Sequence, residues 1–289
     1  METKKQLKGL AVAATCVALL IAACKKDPKP SYVQPQPATV TGLKLSASGT
    51  FGNILTDNNG RSLYFFSNDA ADSSACNGGC SVSWPAFYKE NPEIGTGLNA
   101  SDFAVITRSD GSKQNTYKGW PLYYFSGDTN AGDTKGDAVD SSWMIARPDY
   151  AVMISKAQLI GLDSVLYTSQ SIAGVGASQY ITDAHGHTLY TYKLDSASKN
   201  KFTNSNFSNN AVWPIDTVGA VIGAIPSILD KTQFTTIDVF GKTQLVYKGH
   251  PMYFFGQDNA KRGSTKGVSF PTPGAAIWKV MNTNTSLLY

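Results

Sequence analysis

Three histidines, His185, His187 and His250, are the residues whose types and spacing could support the most specific chemistry in this sequence. His185 and His187 flank Gly186 in a predicted turn, and His250 begins a predicted strand. Imidazole nitrogens are common ligands of zinc and copper. If the turn and the strand converge, the three side chains would form a copper or zinc site. Otherwise they are ordinary turn and surface histidines, and we expect the scaffold to need no cofactor.

A second chemical signal is a Tyr-x-aromatic-x-x-Asp motif that occurs four times. Its Asp lies five residues after its Tyr, beyond the end of a predicted strand. In one interpretation the carboxylate accepts backbone amides and closes the following turn. In the other, the rings and the carboxylate line a cleft that binds a sugar or a peptide. The residues concerned are Tyr64, Phe66 and Asp69; Tyr123, Phe125 and Asp128; Tyr190, Tyr192 and Asp195; and Tyr253, Phe255 and Asp258.

Signatures of catalysis are not evident. The sequence has no Gly-x-Ser-x-Gly nucleophile motif, no recognisable Ser/His/Asp grouping and no phosphate-binding glycine loop. We therefore predict no catalytic residues and no enzyme. The leading hypothesis is a non-catalytic binding or interaction module, whose partner is an envelope protein or a glycan. The alternative is a metal-binding or redox-accessory protein that uses the three histidines.

The motifs belong to a larger duplication, with one copy over residues 42–155 and a second over residues 156–289. Tyr117–Asp128 matches Tyr247–Asp258, and Trp84-Pro85 matches Trp213-Pro214. The offset between equivalent residues grows along the chain, as loop insertions would produce. Internal repetition of this kind indicates a repeat architecture.

The elements that position these residues are predicted to be β-strands. Asx and Gly turns lead into aromatic and β-branched runs. In Leu122–Phe125, alternation sends Tyr123 and Phe125 to one face and Leu122 and Tyr124 to the other, so both faces are expected to be covered. Short helical turns are expected only around 99–105 and 226–234. We predict an all-β fold of two tandem antiparallel repeats, with sandwich, barrel-like and propeller-like arrangements left open.

The N-terminus indicates export and lipid anchoring. Lys4, Lys5 and Lys8 precede an apolar run that ends in Ile21–Cys24, which resembles a lipobox, so residues 1–23 are predicted to be a signal peptide. Cys24 would carry the lipid, and the proline-rich segment 24–41 would be a tether. We expect attachment to the outer membrane, with the domains facing outward.

Charge and cysteine content agree with an envelope location. The chain carries 25 basic and 21 acidic groups, and three Lys and one Glu of these lie in the signal, so the mature chain is close to neutral. A nucleic-acid partner therefore has no electrostatic support. Cys76 and Cys80 lie close together in sequence and are expected to form a disulfide in an oxidising compartment.

These residues resemble a family of bacterial secreted-repeat lipoproteins defined by the Tyr-x-(Phe/Trp/Tyr)-x-x-Asp motif. The resemblance covers nearly the whole mature chain, and it implies a class of protein without an assigned activity. The second copy departs from the pattern at two places. Asn206–Asn210 stands where the cysteine loop is expected, and His250 replaces Trp120.

Overall fold

The structure, a computed structural model, describes residues 39–217 and 223–289. Residues from Thr39 to Tyr289 form one compact unit that contains both copies of the duplication. The predicted signal peptide, Cys24 and the tether up to residue 38 lie outside the described residues. Within the described part of the chain, no helix is long and apolar enough to cross a membrane.

Each copy is built from short strands joined by turns. The first copy contains β1 Gly42–Ser48, β2 Gly52–Asp57, β3 Tyr64–Phe66, β4 Glu93–Ile94, β5 Phe103–Thr107, β6 Lys113–Tyr117, β7 Trp120–Pro121 and β8 Trp143–Ile145. The second contains β9 Val152–Ile160, β10 Leu166–Tyr167, β11 Ala177–Asp183, β12 Tyr190–Tyr192, β13 Phe234–Val239, β14 Lys242–Tyr247, β15 His250–Pro251 and β16 Trp278–Val280.

Strand pairing has the same register in the two copies. Leu43 of β1 pairs with Asp57 of β2, and Val152 of β9 pairs with Asp183 of β11. The pairs β3–β8 and β12–β16 match in the same way, as do the three-stranded sheets β5-β6-β7 and β13-β14-β15. The predicted boundary at 155/156 falls inside β9. The matching register assigns the whole of this strand to the second copy.

The all-β prediction with few helices is confirmed. The described residues form sheets of two or three strands, and these strands do not close into a barrel. Helix α1, Gly79–Ser83, is one turn long, and the remaining helical segments are 3-10 turns. Two of these, Ala100–Asp102 and Lys231–Gln233, lie in the predicted helical regions, and each begins with a side-chain cap from Asn99 or Asp230. The others are Val139–Ser141, Ser208–Ala211, Gly256–Asp258 and Lys266–Ser269.

The motif segment Leu122–Phe125 separates two hydrophobic cores, as its alternation predicts. In the first copy, Leu122 and Tyr124 join a core with Phe65 and Trp120. Tyr123 and Phe125 pack on the opposite face around Trp84 and Trp143. The second copy has a corresponding pair of cores. Burial of both faces fixes the orientation of the side chains in Leu122–Phe125 and in the equivalent Met252–Phe255.

A tryptophan pair forms the centre of one core in each copy. The rings of Trp84 and Trp143 stack with their centroids 3.7 Å apart, and those of Trp213 and Trp278 stack at 3.6 Å. Gly136 lies against the first pair, where a Cβ atom would approach within 2.8 Å of Trp84. Any side chain at this position would therefore collide with the ring.

Two loops distinguish the copies. In the first, the predicted disulfide between Cys76 and Cys80 is formed, with the Cα atoms 5.3 Å apart. In the second, residues 161–176 are inserted between β9 and β11 and carry β10. This insertion exposes several large apolar side chains, among them Leu162, Val165, Ile172 and Val175.

Candidate functional site

The two motifs of each copy lie side by side on antiparallel backbone. The amide of Tyr64 donates to the carbonyl of Tyr123 at 2.8 Å, and the amide of Tyr123 donates back at 3.1 Å. Tyr190 and Tyr253 form the same reciprocal pair at 2.8 and 3.0 Å. The two halves of a copy are therefore joined directly at their motif tyrosines.

Each motif tyrosine donates its hydroxyl proton to the aspartate of the other motif in its copy. Tyr64 bonds to Asp128 at 2.6 Å, and Tyr123 bonds to Asp69 at 2.7 Å. In the second copy, Tyr190 bonds to Asp258 at 2.6 Å and Tyr253 bonds to Asp195 at 2.8 Å. The motif thus works as a crossed pair of buried hydrogen bonds.

The second carboxylate oxygen of each motif aspartate accepts a backbone amide from the loop that follows. The donors are the amides of Ala75 to Asp69, Lys135 to Asp128, Lys201 to Asp195 and Lys266 to Asp258. Burial raises the pKa of Asp69 and of Asp195 to about 6, and it raises the pKa of Asp128 and Asp258 as well. These carboxylates therefore hold the structure of their loops and have both oxygens in use.

The aromatic member of each motif packs on the tryptophan pair of its copy. The ring of Phe66 stacks on Trp143 at 4.1 Å, and that of Phe125 stacks on Trp84 at 4.4 Å. Tyr192 lies 4.6 Å from Trp278, and Phe255 lies 4.5 Å from Trp213. Most motif side chains are thus interior, while Tyr192, Phe255 and Asp258 also border cavities.

The structure does not gather the three histidines into one group. The rings of His185 and His187 lie 6.0 Å apart in the β11–β12 turn. His250 lies elsewhere, with one ring nitrogen 3.1 Å from Thr191 Oγ1 and the other 3.0 Å from the carbonyl of Ser286. Among the residues that the structure describes, no three His, Cys, Asp or Glu side chains are placed to hold a metal ion. The convergence of the turn and the strand that a three-histidine site would require is therefore not observed.

His187 instead forms one wall of a cavity of about 310 Å³, which we call the Phe254 cleft. Its other walls come from Asp183, Pro214, Phe254, Gly256 and Ala260, with Thr188, Phe255 and Asp258 completing the lining. His187 Nδ1 lies 2.7 Å from Asp183 Oδ2, and this carboxylate raises the pKa of His187. The other oxygen of Asp183 accepts the amides of His185 and His187 at 2.9 Å.

The first copy is closed at the equivalent position. There the second oxygen of Asp57 accepts the hydroxyl of Tyr124 at 3.0 Å. The guanidinium of Arg61 lies over the Tyr124 ring at 4.1 Å. Arg61 and Tyr124 correspond to His187 and Phe254, and the lining residues Thr188 and Gly256 also differ from their counterparts Ser62 and Ser126. Of these differences, the two at Arg61 and Tyr124 place large side chains in contact at this position of the first copy. The residue differences between the copies can be read from the sequence. That they open a cleft becomes apparent only from the structure, which shows that the side chains of Arg61 and Tyr124 are in contact.

A second cavity, of about 290 Å³, lies between β12, β16 and the C-terminal segment, and we call it the Lys279 cleft. Thr191, Lys193, His250, Lys279, Asn282 and Ser286 are among its lining residues. Of the three predicted metal ligands, His187 and His250 thus lie in two different clefts.

The comparisons with known proteins identify a repeat and leave its function open. Residues 46–87 and 104–147 each match the model of a family described as a secreted repeat of unknown function. Each matched segment contains one motif, so the unit of this family is half of a copy. The predicted resemblance to a secreted-repeat family is confirmed over these two segments, both of which lie in the first copy, and the description indicates an extracellular or cell-envelope location. Searches of the curated proteins and of the solved structures gave no match.

Proposed function

We propose that this chain, which contains two secreted repeats of unknown function, is a lipid-anchored, non-catalytic binding module on the outer membrane. In this proposal it holds a partner protein of the cell envelope by an apolar side chain that enters the Phe254 cleft. The lipobox-like segment Ile21–Cys24 and the proline-rich tether support the anchoring. The observation that carries the binding function is the opening of this cleft at a position that the first copy keeps filled.

The chemistry of the cleft favours an apolar group over a polar one. Pro214, Phe254, Phe255 and Ala260 supply apolar walls. The carboxylate oxygens of Asp183 accept two amides and face the His187 ring, and those of Asp258 accept a tyrosine hydroxyl, a serine hydroxyl and an amide. A polar ligand would lose water without gaining free partners, whereas burial of apolar surface contributes about 25 cal/mol per Å².

The size of the cleft fits one side chain. A volume of about 310 Å³ is at the lower end of the range for ligand pockets. An aromatic or aliphatic side chain of a partner would contact Phe254 and displace water from the cleft. Anchoring by one buried apolar residue is a common feature of protein interfaces.

The test uses blocked amino acids as probes of side-chain binding. The chain from Lys25 to Tyr289, which carries no acyl group, is titrated with N-acetylphenylalaninamide, N-acetylleucinamide and N-acetylglycinamide. We expect the first two to shift the NMR resonances of Phe254 to Ala260, and the glycine compound to leave them in place. Equal shifts with all three compounds would contradict an apolar side-chain site.

The first copy provides the matched control variants. The double substitution His187→Arg and Phe254→Tyr installs the two large side chains that meet at this position in the first copy, so we expect it to abolish the shifts while the chain stays folded. The reciprocal change, Arg61→His with Tyr124→Phe, is expected to create a second responsive cleft. Unchanged binding in the closed variant would assign the probes to another surface and refute the proposal.

A further inference from the structure

The Lys279 cleft occupies a face that is apolar and buried in the first copy. On that face of the first copy, Phe65 pairs across strands with Met144, and both pack with Trp120. Tyr150 and Met153 belong to the same core. The ring nitrogen of Trp120 donates to the carbonyl of Ala184 at 3.0 Å, which joins the face to the second copy.

The second copy replaces all three apolar residues with polar ones. Thr191 pairs with Lys279 where Phe65 pairs with Met144, and His250 stands in the place of Trp120. The hydroxyl of Thr191 lies 3.1 Å from His250. In the second copy this face borders a cavity, whose lining includes Asn282, Asn284, Thr285, Ser286 and Leu288 of the C-terminal segment.

The charge of this cleft is positive. Lys193 and Lys279 line it, and no Asp or Glu is among its lining residues. In the part of the chain that the structure describes, neither ammonium group has a carboxylate within ion-pairing distance, and Lys279 Nζ donates to the amide oxygen of Gln170 at 2.9 Å. Ser67 occupies the position of Lys193 in the first copy, so both lysines are specific to the second copy.

The remaining lining groups are those that recognise a sugar. Ser169, Gln170, Asn284 and Ser286 offer hydroxyl and amide groups, which can donate to and accept from sugar hydroxyls. The partly exposed ring of Tyr192 and the side chains of Ile277 and Leu288 add apolar surface for the carbon face of a pyranose. The volume of about 290 Å³ suits one sugar unit of a longer chain.

We propose that the Lys279 cleft binds an acidic sugar unit of a polysaccharide, with Lys193 and Lys279 contacting its carboxylate or sulfate group. Hydrogen bonds between an ammonium group and an oxyanion are stronger than neutral ones, so the two lysines would select acidic over neutral sugars. This site is separate from the Phe254 cleft and does not depend on the function proposed for it. Only the second copy would bind an acidic sugar, because Phe65, Met144 and Trp120 form an apolar core at the equivalent face of the first copy.

The experiment is a calorimetric titration of the full chain, purified in a neutral detergent, at low ionic strength. The probes are tetragalacturonic acid, the neutral galactotetraose and inorganic phosphate. We expect the acidic oligosaccharide to bind at least about tenfold more tightly than either of the others, and its affinity to fall as salt is added.

Variants taken from the first copy locate the site. Lys279→Met and Lys193→Ser each install the first copy's residue, and each is expected to weaken acidic oligosaccharide binding by about tenfold. The control Lys156→Met removes an exposed lysine of β9 and is expected to change the affinity by less than about twofold. Unfolding in urea, measured for each variant, separates a loss of binding from a loss of the fold.

Three outcomes would overturn the assignment. Equal binding of the acidic and neutral oligosaccharides would remove the role of the lysines. Phosphate binding as tight as that of the acidic sugar would show a simple anion site without sugar recognition. Unchanged affinity in folded Lys279→Met and Lys193→Ser chains, or no binding of any probe, would exclude this cleft as the binding site.

Discussion

At the scale of single residues, the motif aspartates are stabilised by a crossed arrangement of donors. Each receives one hydroxyl from the opposite motif and one amide from its own following loop. Removing a charged carboxylate from water is costly, and these two bonds offset part of that cost. The remaining cost is visible in the pKa of Asp69 and Asp195, which burial raises to about 6.

These raised pKa values predict that the folded state loses stability as the pH rises from about 4 to 6. A carboxyl whose pKa is near 3.8 when unfolded and about 6 when folded binds more protons in the folded state across this window. The free energy of unfolding then falls with pH, by up to about 1.4 kcal/mol per pH unit for each such group. Urea unfolding at several pH values between 4 and 7 measures this slope.

The variant Asp195→Asn isolates one of these groups. It is expected to make the slope shallower, because one of the two strongly shifted carboxyls is gone, whatever its effect on stability at a single pH. Asp140→Asn, at an exposed position, serves as the control and is expected to keep the wild-type slope. A slope that is identical in Asp195→Asn and in the wild type would contradict the shifted pKa.

At the scale of elements, the two copies hold equivalent loops by different means. In the first copy the Cys76–Cys80 disulfide shapes the loop, and Arg108 donates to Gln114 Oε1 at 2.6 Å and to the carbonyl of Cys76. In the second copy Asn200 donates to Gln244 Oε1 at 2.7 Å. Both copies have a glutamine at this position, Gln114 and Gln244, but its donor is an arginine in the first copy and an asparagine in the second.

Removal of the disulfide is therefore expected to have a limited effect. For a loop this short, the entropy of the unfolded chain accounts for about 2 kcal/mol. The double variant Cys76→Ser and Cys80→Ser should lower the free energy of urea unfolding by that amount and leave the circular dichroism spectrum unchanged. Treatment of the wild type with a reductant should reproduce the shift. Loss of the native spectrum in the variant would show that the disulfide supports a whole copy.

The elements themselves were predictable because their signals are local and repeated. Alternating side chains in Leu122–Phe125 define two buried faces, and Asx and Gly turns delimit the strands. The partner of each motif tyrosine was not predictable. The spacing of the residues along the chain does not indicate that the hydroxyl of Tyr64 bonds to Asp128 rather than to Asp69. The choice of partner depends on how the two halves of a copy pack against each other.

At the scale of the whole molecule, Arg262 joins the copies. Its guanidinium lies over the Trp120 ring at 3.7 Å and donates to the carbonyl of Asp69, both in the first copy. It also donates to the carbonyl of His185 in its own copy at 3.3 Å. The side chain is buried, and burial lowers its pKa to about 10, so it stays charged at neutral pH.

The substitution Arg262→Ala is expected to lower the free energy of unfolding by about 3 kcal/mol, because it removes the donor to the buried carbonyl of Asp69 and uncovers the Trp120 ring. Urea unfolding followed by tryptophan fluorescence measures the loss. The neighbouring Lys261 is exposed, so Lys261→Ala should be close to wild type. If the two variants had equal stability, Arg262 would not be a significant contact between the copies.

The sequence offered no signal for this contact. Arg262 lies in a loop that is longer than its counterpart in the first copy, where the equivalent residue is Ala131. Its hydrogen-bond partners are backbone carbonyls, which every residue has, so residue types cannot reveal them. The position of His250 was unpredictable for a related reason, because its contacts with Thr191 and with the carbonyl of Ser286 depend on how distant segments meet.

The crossed tyrosine–aspartate bonds also have an evolutionary consequence. A single motif carries a donor and an acceptor that fit only the opposite motif, so one half gained or lost alone would leave a buried carboxylate and a buried hydroxyl unmatched. The smallest unit that satisfies its own buried hydrogen bonds is therefore a pair of the one-motif repeats, and duplication of that pair yields the two pairs of this chain. We expect descendants of the same ancestral gene to carry these motifs in even numbers.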